Sequence, residues 1–167
     1  DLRVFFLKLK KRIPIYADLE TLKYLKKNFS YCFDNKHDYP ATLKINKLKK
    51  NFNIDGINFR SVSVQHGNIN SKAFIINGKL AYLSDANNIY TKDLDYFKNL
   101  KYFVVDCLRI KNHPSHFNLD EVIKLHNQIK PKKTILTNLH SDLDYNDLKK
   151  KLPKNVLPAH DNLSINL

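Results

Sequence analysis

The stretch from Ser61 to Asp85, SVSVQHGNINSKAFIINGKLAYLSD, constrains the fold most, because two apolar strands in it each run out into a residue of metal-binding type. Val62 to Val64 ends in Gln65-His66-Gly67, and Leu80 to Leu83 ends in Ser84-Asp85. Between them lies a third strand, Ala73–Ile76, closed by an Asn77-Gly78 turn that favours a tight hairpin. The same unit, a buried strand with a polar residue at its mouth, recurs where Tyr102–Val105 meets Asp106 and where Thr134–Thr137 meets Asn138-Leu139-His140. Strands hold such side chains to the tolerance a metal or catalytic site demands, while the loops beyond keep them accessible.

The rest of the chain supplies layers for these strands. Ile13–Tyr16 predicts a short strand, and Asp18 caps a helix that places Leu19, Leu22, Leu25 and Phe29 on one face. Residues 33–40 read as a polar turn in which His37 is a solvated loop histidine. Thr42–Ile45 and Phe52–Ile54 alternate as half-buried strands, and Asp55-Gly56 turns the chain into a long strand, Ile57–His66. Leu94, Phe97 and Leu100 predict a short amphipathic helix. Residues 107–117 carry Arg109, His113 and His116, with Pro114 preventing a regular helix. Asn118 caps a helix with an apolar stripe of Leu119, Val122, Ile123, Leu125 and Ile129, stopped at Lys130-Pro131. A last helix over 145–152 leads to two short strands, around Val156-Leu157 and Leu163–Ile165. Strands cluster early and alternate with helices later, which predicts one layered α/β (α+β) domain over residues 1–167.

From chemistry alone, His66, Asp85 and His140 on three strand ends are candidate ligands for Zn²⁺, Mn²⁺ or Fe²⁺. They read equally as three independent residues: a loop histidine, an aspartate capping a turn, and a histidine near a helix start. The net charge of +13 suggests a polyanionic partner. Only four of the 29 basic residues are Arg, however, so the lysines read as solvated faces rather than as a nucleic-acid interface. Cys32 and Cys107 have no metal or disulfide spacing, and no segment is apolar enough to span a bilayer, which predicts a cytoplasmic protein without a membrane partner.

Taken in order, HGN at 66–68, AYLSDANNI at 81–89, VVDCLR at 104–109, HPSH at 113–116, LTNLHSDLDY at 136–145 and LPAHDNL at 157–163 resemble the metallo-β-lactamase-fold hydrolases, closest to the phosphoribosyl cyclic phosphate phosphodiesterase branch. The resemblance implies an αβ/βα sandwich with a two-metal site along one edge. It implies that His66 binds one metal, that Asp85 bridges both, and that a histidine of the LTNLH segment completes the other. Relatives place that histidine directly after Leu-Thr, where this chain has Asn138, so the role passes to His140. His116 matches a histidine that faces the substrate phosphate, able to donate to an oxygen or protonate the leaving group. Asp106 and Arg109 also match; Asp106 reads either as a residue that orients a ligand or as a loop cap. His113, His126 and His160 read as structural.

The family signature H-x-H-x-D-H is missing from these 167 residues. In relatives it precedes an Asp-Leu-Arg triplet, and the chain starts Asp1-Leu2-Arg3, so the expectation is a fragment beginning just after the signature, incomplete at the N-terminus and inactive alone. For the parent protein the resemblance implies a hydrolase of small cyclic phosphates or related phosphoesters, using two Zn or Mn ions and leaving a homodimer open. Two alternatives stand beside it: ribonuclease Z-like tRNA processing, favoured by the charge, and a basic, non-catalytic binding domain on the same fold.

Overall fold

The computed structural model describes residues 2–35 and 39–167, so Asp1 and His37 lie outside the described residues. The backbone divides into two compact units, Asp1–Lys49 and Lys50–Leu167. Among the described residues no helix is long and apolar enough to cross a membrane.

The first unit holds helix α1 (Arg3–Leu9), strand β1 (Ile13–Ala17), helix α2 (Leu19–Asn28), a short 3₁₀ turn (Ser30–Cys32) and strand β2 (Leu43–Lys47). β1 and β2 pair in parallel, Ile13 opposite Leu43. Asp18 caps α2 as expected, its carboxylate accepting from the Thr21 amide at 2.9 Å, and Leu22 is the buried residue of that helix. Sequence patterning gives no sign of α1, which has no side-chain cap and buries none of its residues.

The second unit is a seven-stranded sheet whose spatial order follows the sequence: β3 (Asn51–Ile54), β4 (Ile57–His66), β5 (Ile69–Ile76), β6 (Leu80–Leu83), β7 (Tyr102–Asp106), β8 (Lys133–Thr137) and β9 (Val156–Pro158). The first four strands are antiparallel and joined by tight turns. Between β5 and β6, Asn77 and Gly78 both take positive φ (49° and 62°), as a turn matched to the strand twist requires. From β6 onward the pairing is parallel, because each connection is now a crossover: a 3₁₀ helix (Thr91–Phe97), α3 (Leu119–Ile129) and α4 (Tyr145–Lys151).

β4 is antiparallel to β5, and β5 to β6, so β4, β6, β7 and β8 run in the same direction and their C-terminal ends emerge on one edge of the sheet. That edge receives His66, Asp85, Asp106 and Asn138. Crevices at the carboxyl ends of strands are where open α/β sheets place ligands.

One face of the sheet carries Val62, Val64, Ile75, Leu83, Phe103 and Val105, all buried. Helix α3 adds Val122, Leu125 and Ile129 to the same core. Its start is secured by a capping box: Asn118 accepts from the Glu121 amide and Glu121 accepts from the Asn118 amide, both at 2.9 Å. Lys130, in the left-handed conformation, ends it.

Three expectations need correction. The helix foreseen around Leu94–Leu100 is a seven-residue 3₁₀ segment, Thr91–Phe97, that buries Phe97. β5 starts at Ile69, not Ala73, because it pairs with β4 as far as His66. Residues 163–165 form no strand; β9 is the last in the sheet order, and the chain beyond it is anchored by the Lys101 ammonium donating to the Asn166 carbonyl at 2.7 Å.

Candidate active site

His66 closes β4, and the turn after it needs Gly67 at φ +59°. A Cβ on Gly67 would meet the Ser115 Cβ at 3.1 Å, so the turn and the 113–116 loop touch through the missing side chain. The Ser115 carbonyl accepts a hydrogen bond from His66 Nδ1 at 2.8 Å. Since a carbonyl can only accept, Nδ1 carries the proton and Nε2 keeps its lone pair.

His116 is held by the same logic. Its Nδ1 donates to Asp106 Oδ2, which lies at the end of β7. The histidine is half-buried and Asp106 fully buried. Burial pushes the Asp106 carboxyl above its ordinary value, while the bond to His116 and the neighbouring Ala86 amide pull it part of the way back. Its other oxygen, Oδ1, has no hydrogen-bond partner among the described residues.

Asp85 follows β6 and is exposed. Its backbone carbonyl accepts from the Ser71 hydroxyl. One ligand atom each from His66, Asp85 and His116 lie within 4.8 Å of one another, and the His66 and His116 rings meet edge-on at 4.7 Å between centroids. Two imidazoles with Nδ1 committed to an acceptor and Nε2 free, beside an exposed carboxylate, are the donor set a divalent metal takes, and a partner on the second ring nitrogen is what fixes such ligands. The residues present therefore fit a metal ion.

The structure brings three of the sequence-predicted residues together and places the others around them. His140 is exposed and lies outside this trio, its Nδ1 facing Asp142 Oδ1 at 3.1 Å. Asp142, although partly desolvated, is held below its ordinary value by the Ile110 amide and by His140. Asn138 takes φ +56°, and its side-chain amide donates to the Ser84 carbonyl at 2.9 Å, joining the β8 end to the residue before Asp85. Arg109 turns back on its own loop, donating to the carbonyls of Lys111 (3.2 Å) and Asn112 (2.5 Å). His113 approaches His116 at 5.0 Å between centroids. Desolvation, then the charges of Arg109, His116 and His66, lowers its pKa. His126 shares a hydrogen bond with Thr134 at 2.8 Å, and His160 meets the Tyr145 ring edge-on.

Sequence reading passed over Asn87 and Ser115. Asn87 bonds to both Gly67 and Pro114, and Ser115 contributes its carbonyl, which no side-chain motif reveals. The only signal was the run Asp85-Ala86-Asn87-Asn88, two amides directly beyond a ligand-type carboxylate.

Comparison with known proteins gives the family and the fold. A family model described as the beta-lactamase superfamily domain matches residues 1–138. The crystal structure of a diphosphatase from the PhnP family superposes with a TM-score of 0.83 at 28% identity, over 94% of this chain and 59% of that one. Human tRNase Z, short form, superposes at 0.62 with 12% identity over 94% of this chain and 67% of that one, a likeness of fold. A curated octanoyltransferase of Porphyromonas gingivalis is 26% identical over 157 residues, 90% of this chain and 30% of that protein. The chain thus spans about three-fifths of the diphosphatase and under a third of the octanoyltransferase.

Proposed function

The chain belongs to the β-lactamase superfamily, as a metallo-β-lactamase-fold hydrolase close to the PhnP branch, and from this we propose that the protein containing it hydrolyses phosphodiester bonds, with a small cyclic phosphate or related phosphoester as substrate. The fold family generally binds divalent metals such as zinc. The observation that carries the reading is the trio of His66, Asp85 and His116 with His116 backed by buried Asp106.

In this reading His66 Nε2 and the Asp85 carboxylate would hold metal, with His140 on the neighbouring loop as a further ligand, while His116, although close enough to join them, is left to the substrate; two ions, zinc or manganese, would serve the protein at the length of its relatives. When bound, such ions supply Lewis acidity toward phosphoryl oxygens and make water nucleophilic at neutral pH. The chain's own residues do the rest. Asp106 accepts the Nδ1 proton of His116 and so fixes the ring beside His66 and Asp85, leaving Nε2 as its uncommitted nitrogen. A phosphoryl group held there lies within reach of His116, which in its doubly protonated form donates from Nε2 to a nonbridging oxygen or passes that proton to the leaving alkoxide. Burial of Asp106 keeps water from competing for the Nδ1 proton. Acyl transfer finds no nucleophile in Cys107: its thiol is fully buried and pushed up to about 12 by burial and by the charges of Asp106 and Asp142.

The test is hydrolysis of a generic bis-aryl phosphate and of a five-membered cyclic phosphate by a protein that carries this chain at its relatives' full length, loaded with zinc or manganese. Turnover that a chelator abolishes, and that falls by about 10²–10⁴ on His116→Ala, is expected. The 167-residue chain alone is expected to turn over neither substrate. Chelator-insensitive turnover, or none with any phosphodiester, would overturn the reading.

A further inference from the structure

Asn87 stands two residues beyond Asp85, yet its side chain touches the loops of both histidines. Its Oδ1 accepts from the Gly67 amide at 3.0 Å, next to His66. Its Nδ2 donates to the Pro114 carbonyl at 3.2 Å, two residues before His116. The orientation of the amide is unambiguous, because the Gly67 N–H can only donate and the Pro114 carbonyl can only accept. The Asn87 backbone is itself fixed to β4: its amide donates to the Gln65 carbonyl at 2.9 Å, and the Gln65 amide donates to the Asn88 carbonyl at 3.0 Å.

One carboxamide therefore ties three loops, and the tie bears on the ring that matters. His66 owes its Nδ1–H tautomer to the Ser115 carbonyl, and the carbonyl immediately before it in the chain, that of Pro114, is the one Asn87 grips. The bare Gly67 lets the two loops close to a distance at which a Cβ would already press on Ser115. Asn87 adds no ligand atom, and an asparagine after a strand passes for a turn former.

We propose that Asn87 is a positioning residue that holds the Pro114-Ser115 backbone against the β4–β5 turn, thereby committing His66 Nδ1 to the Ser115 carbonyl and leaving Nε2 free beside Asp85. The consequence for metal affinity rests on the metal-binding reading above; the tautomer does not.

Asn87→Asp is the discriminating variant. It keeps an acceptor for the Gly67 amide and sets a carboxylate oxygen against the Pro114 carbonyl, so the loop is released while the turn is retained. Gly67→Ala releases it from the other side and carries the comparison should the aspartate variant fold poorly. The first readout is the nitrogen spectrum of the His66 imidazole in the metal-free chain at alkaline pH. Wild type is expected as the Nδ1–H tautomer and both variants as mixtures. The second is Co²⁺ titration followed by its visible absorption, with affinity expected to fall about ten- to hundredfold in the variants. His66 remaining Nδ1–H in the variants overturns the proposal, as does a loss of thermal stability with the tautomer unchanged, which would mark Asn87 as merely structural. Absence of Co²⁺ uptake by wild type would count against the metal reading alone, with the tautomer comparison still deciding the role of Asn87.

Discussion

Asp106 shows how a single carboxylate can be costly to the fold and useful to the site. It is fully buried and its pKa is raised above 3.8 by desolvation, against the pull of His116. In the interval between the unfolded and the raised folded value, the folded chain binds more protons than the unfolded one, so stability falls as pH rises. The contribution is fully present below about 3.8 and is lost as pH climbs through the folded value. Asp106→Asn removes that slope, so its stability relative to wild type is expected to improve with pH across this window and then level off; urea melts at a series of pH values would show it. The same variant offers His116 a carboxamide, whose NH₂ can stabilise the wrong tautomer. Hydrolysis by the full-length protein is therefore expected to fall by about 10²–10⁴. Asp106→Asn losing stability relative to wild type as pH rises would instead show that Asp106 is stabilising as a charge.

Among the elements, β4, β6 and α3 were legible in the sequence for local reasons. β4 alternates apolar with polar residues over Val62–Val64, β6 is an apolar run, and α3 has a cap, a stripe and a stop between Asn118 and Lys130. His66 and Asp85 were legible with them, since each lies at the end of a strand whose face and length the pattern sets. What escaped depended on contacts between segments far apart in sequence. The Asp106–His116 pair and the His66–Ser115 bond form because the Phe117 amide donates to the Ala86 carbonyl and the Leu108 amide to the Phe117 carbonyl, folding the 107–117 loop onto the sheet edge. No periodicity reports such a crossing, and Pro114 said only that the loop is not helical. The far end of that loop is fastened by Asn118, which is nearly buried, caps α3 through Glu121 and donates to the Asn112 side chain at 2.5 Å. Asn118→Ala is expected to lower stability by about 1–2 kcal/mol, the cost of an N-cap, in equilibrium urea unfolding. An unchanged midpoint would mean that the loop, not the cap, starts the helix.

For the molecule as a whole, the open choice is between a small phosphoester and RNA. The net charge of +13 favours RNA in bulk, and tRNase Z shares the fold. The arginines, which would form specific forks with phosphates, are committed elsewhere. Arg3 lies over the Tyr39 ring at 4.7 Å and Arg12 reaches the Asn35 side chain at 3.3 Å. Arg60 lies over Tyr96 at 4.3 Å, and Arg109 binds the carbonyls of its own loop. What remains for a polyanion is lysine, a set of point charges without fork geometry. Lysine contacts release counterions and little else, so binding should be unspecific and steep in salt. By fluorescence anisotropy the chain is expected to bind tRNA no tighter than about 10⁻⁶ M at physiological salt, with affinity falling by orders of magnitude between about 50 and 200 mM. Affinity for tRNA that stays in the nanomolar range at the higher salt would require contacts beyond charge and would move the assignment to RNA processing. Loss of tRNA binding with salt, together with retained binding of inorganic phosphate at the His66–Asp85 edge, would leave the small phosphoester as the substrate class.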